Sequence, residues 1–180
     1  KSAEEVRNEE CSAIITGQLH CSEFAGLNDP MEGQFAAGSS PAWLRTEITA
    51  GKGRIGICSF SETPNNELMW AHYANEFKGM CVRYRVKHLL PALPGGHLSP
   101  IHYADTVPVF GWTPAPDRLA RRALTTKSYK WLYEREWRYL APGVGMIDYG
   151  YNELVVDRIY LGFRMASTIV SELRSFFRQT

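Results

Sequence analysis

Tyr129-Lys130-Trp131-Leu132-Tyr133-Glu134-Arg135-Glu136-Trp137-Arg138-Tyr139-Leu140-Ala141-Pro142-Gly143 is the stretch from which this chain is read. Its core alternates and is rich in aromatics, which predicts a strand. Residues two apart on a strand share a face. Glu134, Glu136 and Arg138 then line one side, and Arg135, Trp137 and Tyr139 the other. Neighbours on one face lie about 6.6–7 Å apart along the strand. Two carboxylates that close repel, so one has a raised pKa unless a cation compensates. A wall of Trp and Tyr around the pair predicts a cleft and a candidate active site. The competing reading is a solvated strand face neutralised by Arg138.

Working outward, Arg54 to Ser61, Met80 to Val86, Met146 to Tyr149 and Leu154 to Leu161 read as further strands. Ile101 to Val109 has strand character broken by Asp105 and Pro108. Residues 2–19 read as a helix, or a helix followed by a strand, and Ala42 to Ile48 as a helix turn. Glu67 to Phe77, Arg118 to Thr126 and Ala166 to Arg178 read as helices. In the last of these, Ile169, Val170, Leu173, Phe176 and Phe177 mark the inner side. Asn28-Asp29-Pro30-Met31-Glu32-Gly33 is a turn, since Asn and Asp favour Asx-turns and Pro bars the helix. Gly38 to Pro41 and residues 111–117 read as loops. The pattern predicts a single α+β domain over residues 1–180, with mostly antiparallel sheet around a cleft and flanking helices.

Composition bounds the class. At 180 residues, 44% hydrophobic and 22% charged, the chain has material for a full core and is excluded from disorder. A net charge of +1 gives no overall nucleic-acid footprint. A local basic patch is still expected around Arg118, Arg121, Arg122, Lys127 and Lys130. The cysteines, Cys11, Cys21, Cys58 and Cys81, form no Cys-x-x-Cys pair, and Cys58 and Cys81 read as reduced, buried thiols. Without a signal peptide or an apolar run of about 18 residues, the expected place is the cytoplasm, away from membranes. The chain begins at Lys, so a lost leader or a fragment is also expected.

Other segments carry weaker signals. Ser59 and Ser61 share a strand face, so a hydroxyl either reaches a carboxylate or caps the strand end. No Gly-x-Ser-x-Gly elbow surrounds them, which disfavours a hydrolase triad. Trp70 and Tyr73 stand three apart on one helical face, with His72 off that stripe. Asp29 and Glu32 lack the further ligands a calcium loop needs, so no metal is expected.

These boxes together resemble a widespread bacterial family known only as a domain of unknown function. The resemblance rests on Asn28 to Gly33, Phe60-Ser61-Glu62, Met69-Trp70-Ala71-His72-Tyr73-Ala74, and Trp131 with Tyr133 to Arg138, followed by Leu161-Gly162. It covers residues 19–178. Members carry an earlier Tyr-(Lys/Arg)-Tyr strand and a closing strand, so first and last strands are expected to be missing here.

A second resemblance suggests chemistry. Glu134 to Gly143 is similar to the Glu-x-Glu strand of arginine-serine-glutamate type ADP-ribosyltransferases. That resemblance implies NAD as substrate, no metal, Glu136 as catalytic glutamate, Glu134 on the acceptor side and Ser61 as the serine prop. It implies Tyr73, Trp70, Arg138 and His72 as the NAD-binding set. A toxin or phage-defence setting is implied, with a small-molecule nucleotide as partner and an unassigned protein or nucleic-acid acceptor. The alternatives are a carboxylate-dependent hydrolase and a non-catalytic nucleotide- or peptide-binding module.

Overall fold

The computed structural model describes residues 3–38, 40–111 and 115–178. Ser39 and residues 112–114, parts of two expected loops, lie outside them. In chain order the elements are α1 (Ala3–Thr16), β1 (Gln18–Cys21), α2 (Ala42–Gly53), β2 (Gly56–Ser61), α3 (Glu67–Tyr73), β3 (Met80–Tyr84) and α4 (Val86–Leu89). They continue with β4 (His97–Pro100), β5 (His102–Tyr103), α5 (Pro116–Leu124), β6 (Thr126–Lys127), β7 (Glu136–Ala141), β8 (Gly145–Asp148), β9 (Val156–Leu161) and α6 (Ser167–Phe176). This is an α+β fold. Pairing is antiparallel in β2-β7-β4 and β3-β9 and parallel in β5-β6, and β1 pairs with β8. The chain groups into two compact units. One comprises Lys1–Leu19, Thr63–Leu93 and Asp148–Thr180, and the other His20–Glu62 and Pro94–Ile147. Among the described residues, no helix is long and apolar enough to cross a membrane.

The second unit is organised by β7, the central strand of β2-β7-β4. Its register sets Ile57 opposite Leu140, Ser59 opposite Arg138 and Ser61 opposite Glu136. Alternation therefore gives one face an apolar end and a charged end. The apolar end, Ile57 with Leu140, joins Leu124 of α5 in a core completed by Phe24, Leu27 and Ile55. A neighbouring core packs Leu44 and Ile48 of α2 against Ala120 and Ala123 of α5, with Phe110 over them. The two alanines let the helices approach closely. Burying Leu44 and Ile48 completely contributes about 1.5–3 kcal/mol each. That contact anchors α5, and with it the β6 residues that follow.

The first unit is built on β3 and β9, with Met80 opposite Leu161 and a register shift between Arg83 and Tyr84. Asp157 of β9 pairs with Arg83 and Arg85. Asn66 caps α3, its Oδ1 accepting from the backbone N–H of Leu68 at 3.0 Å and Met69 at 3.3 Å.

Several expected elements come out shorter or shifted. Helix α3 stops at Tyr73 rather than Phe77, because Asn75, Glu76 and Phe77 take positive φ values of 45, 53 and 67°. Such a run is costly for side-chain-bearing residues. It is held by Phe77 N–H donating to Trp70 O at 3.2 Å and by the Phe77 ring packing on Phe163 at 4.8 Å. Helix α2 runs on to Gly53, well past the expected turn. Of the expected strand Ile101–Val109 only β5 forms, and β4 was hidden behind the turn signal at Gly95-Gly96. In α6, Leu173 is buried but Phe176 is exposed. The buried thiols are Cys11 and Cys21, while Cys58 and Cys81 are only half-buried.

The largest correction falls on residues 129–143. Tyr129–Glu134 is a 3₁₀ turn, and the strand begins only at Glu136. Between them Arg135 is left-handed, at φ 47° and ψ 50°, which breaks the extended run. Alternating aromatic and charged residues satisfied a period of two. Closing the turn through Trp131 N–H to Ser128 O at 3.0 Å satisfied the backbone instead.

Candidate active site

Glu136 and Arg138 share a face of β7 as the strand period requires, but Glu134 reaches the same place from the turn before it. In a 3₁₀ turn, residues three apart eclipse. Trp131 and Glu134 are such a pair, and both meet Lys127: its Nζ lies 5.0 Å from the Trp131 ring centroid and donates to Glu134. The Phe60–Glu62 box clamps this turn. Ser61 Oγ donates to the Glu134 carbonyl at 2.7 Å, and Trp137 Nε1 donates to Glu62 Oε1 at 2.9 Å.

Lys127 is the hub. Its ammonium donates to Glu136 Oε2 at 2.9 Å and lies 3.2 Å from Glu32 Oε1. Arg138 supplies the second cation. Its Nε donates to Glu136 Oε1 at 2.7 Å, Nη1 to the Leu124 carbonyl at 2.7 Å, and Nη2 to Glu136 and Glu32. Three carboxylates thus meet two cations, with every side chain 6% exposed or less. Glu32 arrives from the Asn28–Gly33 turn. There Asp29 Oδ1 accepts from Met31 N–H at 2.9 Å, and the buried Lys52 Nζ donates to Gly33 O at 2.8 Å.

Taking such charges out of water costs several kcal/mol per ion, so the arrangement holds only because the partners are well placed. The titration shifts record the balance. Burial pushes Glu136 upward, but the charge and hydrogen bond of Arg138, the charge of Lys127 and a bond from the Ser59 hydroxyl outweigh it, leaving its pKa lowered. Burial pushes Lys127 downward, yet Glu136, Glu134 and Glu32 together raise it. The expected repulsion between the glutamates is answered by cations, and Glu136 stays ionised. Tyr103 adds a polar contact, its hydroxyl accepting from Glu136 N–H at 2.8 Å.

Residues 69–139 match the family model of DUF2971, a protein of unknown function. No curated protein and no solved structure matches the chain. The DUF2971 match begins in α3 and ends in β7. It therefore takes in the Met69–Ala74 box, Lys127 and the Glu134–Arg138 box, and leaves Glu32 and the serine strand outside.

Of the residues singled out from sequence, Glu134, Glu136 and Arg138 come together in one cluster. Ser61 touches it through the Glu134 carbonyl, and the hydroxyl on Glu136 is that of Ser59, the other serine of the same face. Trp70, His72 and Tyr73 lie on α3 of the other unit. There Trp70 Nε1 donates to Pro64 O at 2.7 Å, and the His72 and Tyr73 rings sit edge to face at 6.2 Å. Lys127, Glu32 and Tyr103 were missed. Lys127, which the sequence groups with a local basic patch, is buried. Its one local signal is Trp131, four residues on, whose ring it underlies. Glu32 reads from the sequence only as part of a structured turn. Nothing local distinguishes it from any turn carboxylate.

Proposed function

We propose that this chain is an NAD-dependent ADP-ribosyltransferase-like enzyme of bacterial toxin or phage-defence type, with Glu136 as its catalytic carboxylate. The observation that carries this reading is the setting of Glu136. It opens a strand, is held ionised by Arg138 and Lys127, and is bonded by the hydroxyl of Ser59, a residue exposed to solvent. The carboxylate therefore lies one hydrogen bond beneath the surface. Cleaving the nicotinamide–ribose bond builds positive charge on the sugar, and an ionised carboxylate in a low-dielectric setting stabilises it strongly. Glu134, two residues earlier and on the same Lys127, takes the acceptor-side role. Ser61 holds the turn between them. Arg138 and Lys127 act on the glutamates rather than on substrate. The assignment of Trp70, Tyr73 and His72 to NAD rests on the sequence resemblance.

A second reading is favoured by the enclosure of the same five side chains. In it the cluster locks a non-catalytic nucleotide- or peptide-binding module into one conformation.

Nicotinamide release from NAD separates the two. Turnover abolished in Glu136→Gln, with the variant still folded by circular dichroism, supports the enzyme. NAD binding without turnover, unchanged in that variant, supports the module. A strict requirement for a divalent cation sinks the transferase reading in favour of a carboxylate-dependent hydrolase.

A further inference from the structure

β1 and β2 approach each other beside the sheet. Ser22 and Ile57 exchange both backbone hydrogen bonds at 2.8 Å, an antiparallel bridge. Counting one residue outward on each strand puts Cys21 opposite Cys58. A pair next to such a doubly bonded bridge is the non-hydrogen-bonded kind, with Cα atoms about 4.5 Å apart and side chains on one face. That spacing falls inside the range of about 4.4–6.8 Å that a disulfide spans. Gly56 confirms the shared face, since a Cβ placed on it would lie 2.9 Å from the Cys21 Cβ. The same Cβ would lie 2.0 Å from the Gly143 carbonyl oxygen, so the position is closed to any side chain.

We infer that Cys21 and Cys58 form a reversible cross-strand dithiol–disulfide pair, oxidised by small hydroperoxides. Both thiols are reduced here, with Cys21 buried and Cys58 half-buried, so Cys58 opens the pair to solvent. Their sulfurs are hydrogen-bonded to each other, which lowers Cys21 and raises Cys58. The Cys21 thiol therefore gives up its proton more readily than an ordinary one, toward the thiolate form that reacts.

The chemistry balances with hydrogen peroxide as oxidant. The thiolate attacks the O–O bond, giving a sulfenic acid and hydroxide, and the hydroxide takes the proton of the second thiol to become water. The second sulfur then attacks the sulfenic sulfur, the S–S bond forms, and hydroxide leaves to be protonated by solvent. Two thiols lose two electrons, and one peroxide becomes two waters. Cys81 stands opposite Tyr160, not a cysteine, so the register gives it no such partner.

The test treats the native full chain, dilute, with a few equivalents of hydrogen peroxide. Remaining thiols are then alkylated and the protein is mapped by mass spectrometry without reduction. The expected result is a Cys21–Cys58 linked peptide, an intact mass lower by two hydrogens before alkylation, and Cys11 and Cys81 alkylated. Dithiothreitol should restore all four thiols. Full alkylation of Cys21 and Cys58 after peroxide overturns the inference. So does a linkage through Cys11 or Cys81, an intermolecular Cys58–Cys58 dimer, or irreversible sulfinic acid on Cys58. Because the readout is on the unmutated chain, it does not depend on a cysteine variant folding.

Discussion

The Lys127 ammonium donates to the Glu136 carboxylate at 2.9 Å, with both side chains closed off from solvent. They stand nine positions apart in the chain. Between them lie a 3₁₀ turn and a left-handed residue that bring a second glutamate to the same nitrogen. The energetics of the candidate site follow from this contact.

Replacing Lys127 with Met keeps the volume and removes the charge. Glu32, Glu134 and Glu136 then face one another with Arg138 as the only cation in the cluster. Removing one partner of a buried pair typically costs about 3–5 kcal/mol. Urea unfolding should show a loss of that order. A loss below about 1 kcal/mol would mean that water reaches the cluster and screens it.

Stability should depend on pH through Glu136. Its folded pKa lies below the ordinary 4.5, so its contribution is present above that value and fades as pH falls through the lowered one. Lys127 acts at the other end. Its folded pKa is raised, so its contribution is complete below the ordinary 10.5 and is lost only as pH climbs beyond it. Urea midpoints measured against pH should therefore hold a plateau through neutrality and drop on the acid side. Glu136→Gln should flatten that acid limb. An unchanged limb would assign the acid sensitivity to other carboxylates.

Tyr139→Phe tests the opposite face of β7. The Tyr139 hydroxyl donates to the Pro94 carbonyl and accepts from Gly96 N–H at 2.9 Å, which ties β4's approach to the central strand. Losing it leaves both backbone groups short of a partner, at a cost of about 1–3 kcal/mol. Thermal unfolding reads this directly, and an unchanged midpoint would show that water replaces the hydroxyl.

Gly162→Ala probes the other unit. A Cβ there would lie 2.1 Å from the Phe77 carbonyl oxygen and 2.5 Å from its carbon, and backbone cannot step aside as a side chain can. Gly162 N–H also donates to Gly79 O at 2.9 Å, so the two segments are held together. The expected loss is about 1–3 kcal/mol, typical of overpacking. Hydrogen exchange in β3 and β9 should accelerate. Wild-type protection there would show that the left-handed run at 75–77 yields freely.

Much of the fold was legible because it rests on local chemistry. Gly56 to Ser61, Met80 to Tyr84 and Val156 to Leu161 are β-rich runs bounded by turn residues, and they form strands. The errors gathered where two local readings fitted equally. Trp131 to Glu134 suits a strand by alternation and a 3₁₀ turn by its i, i+3 pairs, and only the clamp from Ser61 and the conformation of Arg135 selected the second.

The sequence by itself determined that Glu136 and Arg138 share one face of a strand, since side chains on a pleated backbone alternate whatever surrounds them. It did not determine that Glu134 joins them, because the alternation that put Glu134 on the strand gave way to a 3₁₀ turn. Which cations answer the glutamates was decided only by the tertiary structure. Glu32 and Lys127 are 95 positions apart in the chain and 3.2 Å apart in the cluster. Ion pairing across such a gap depends on how turns and sheets deliver side chains in space, and no periodicity along the chain records that.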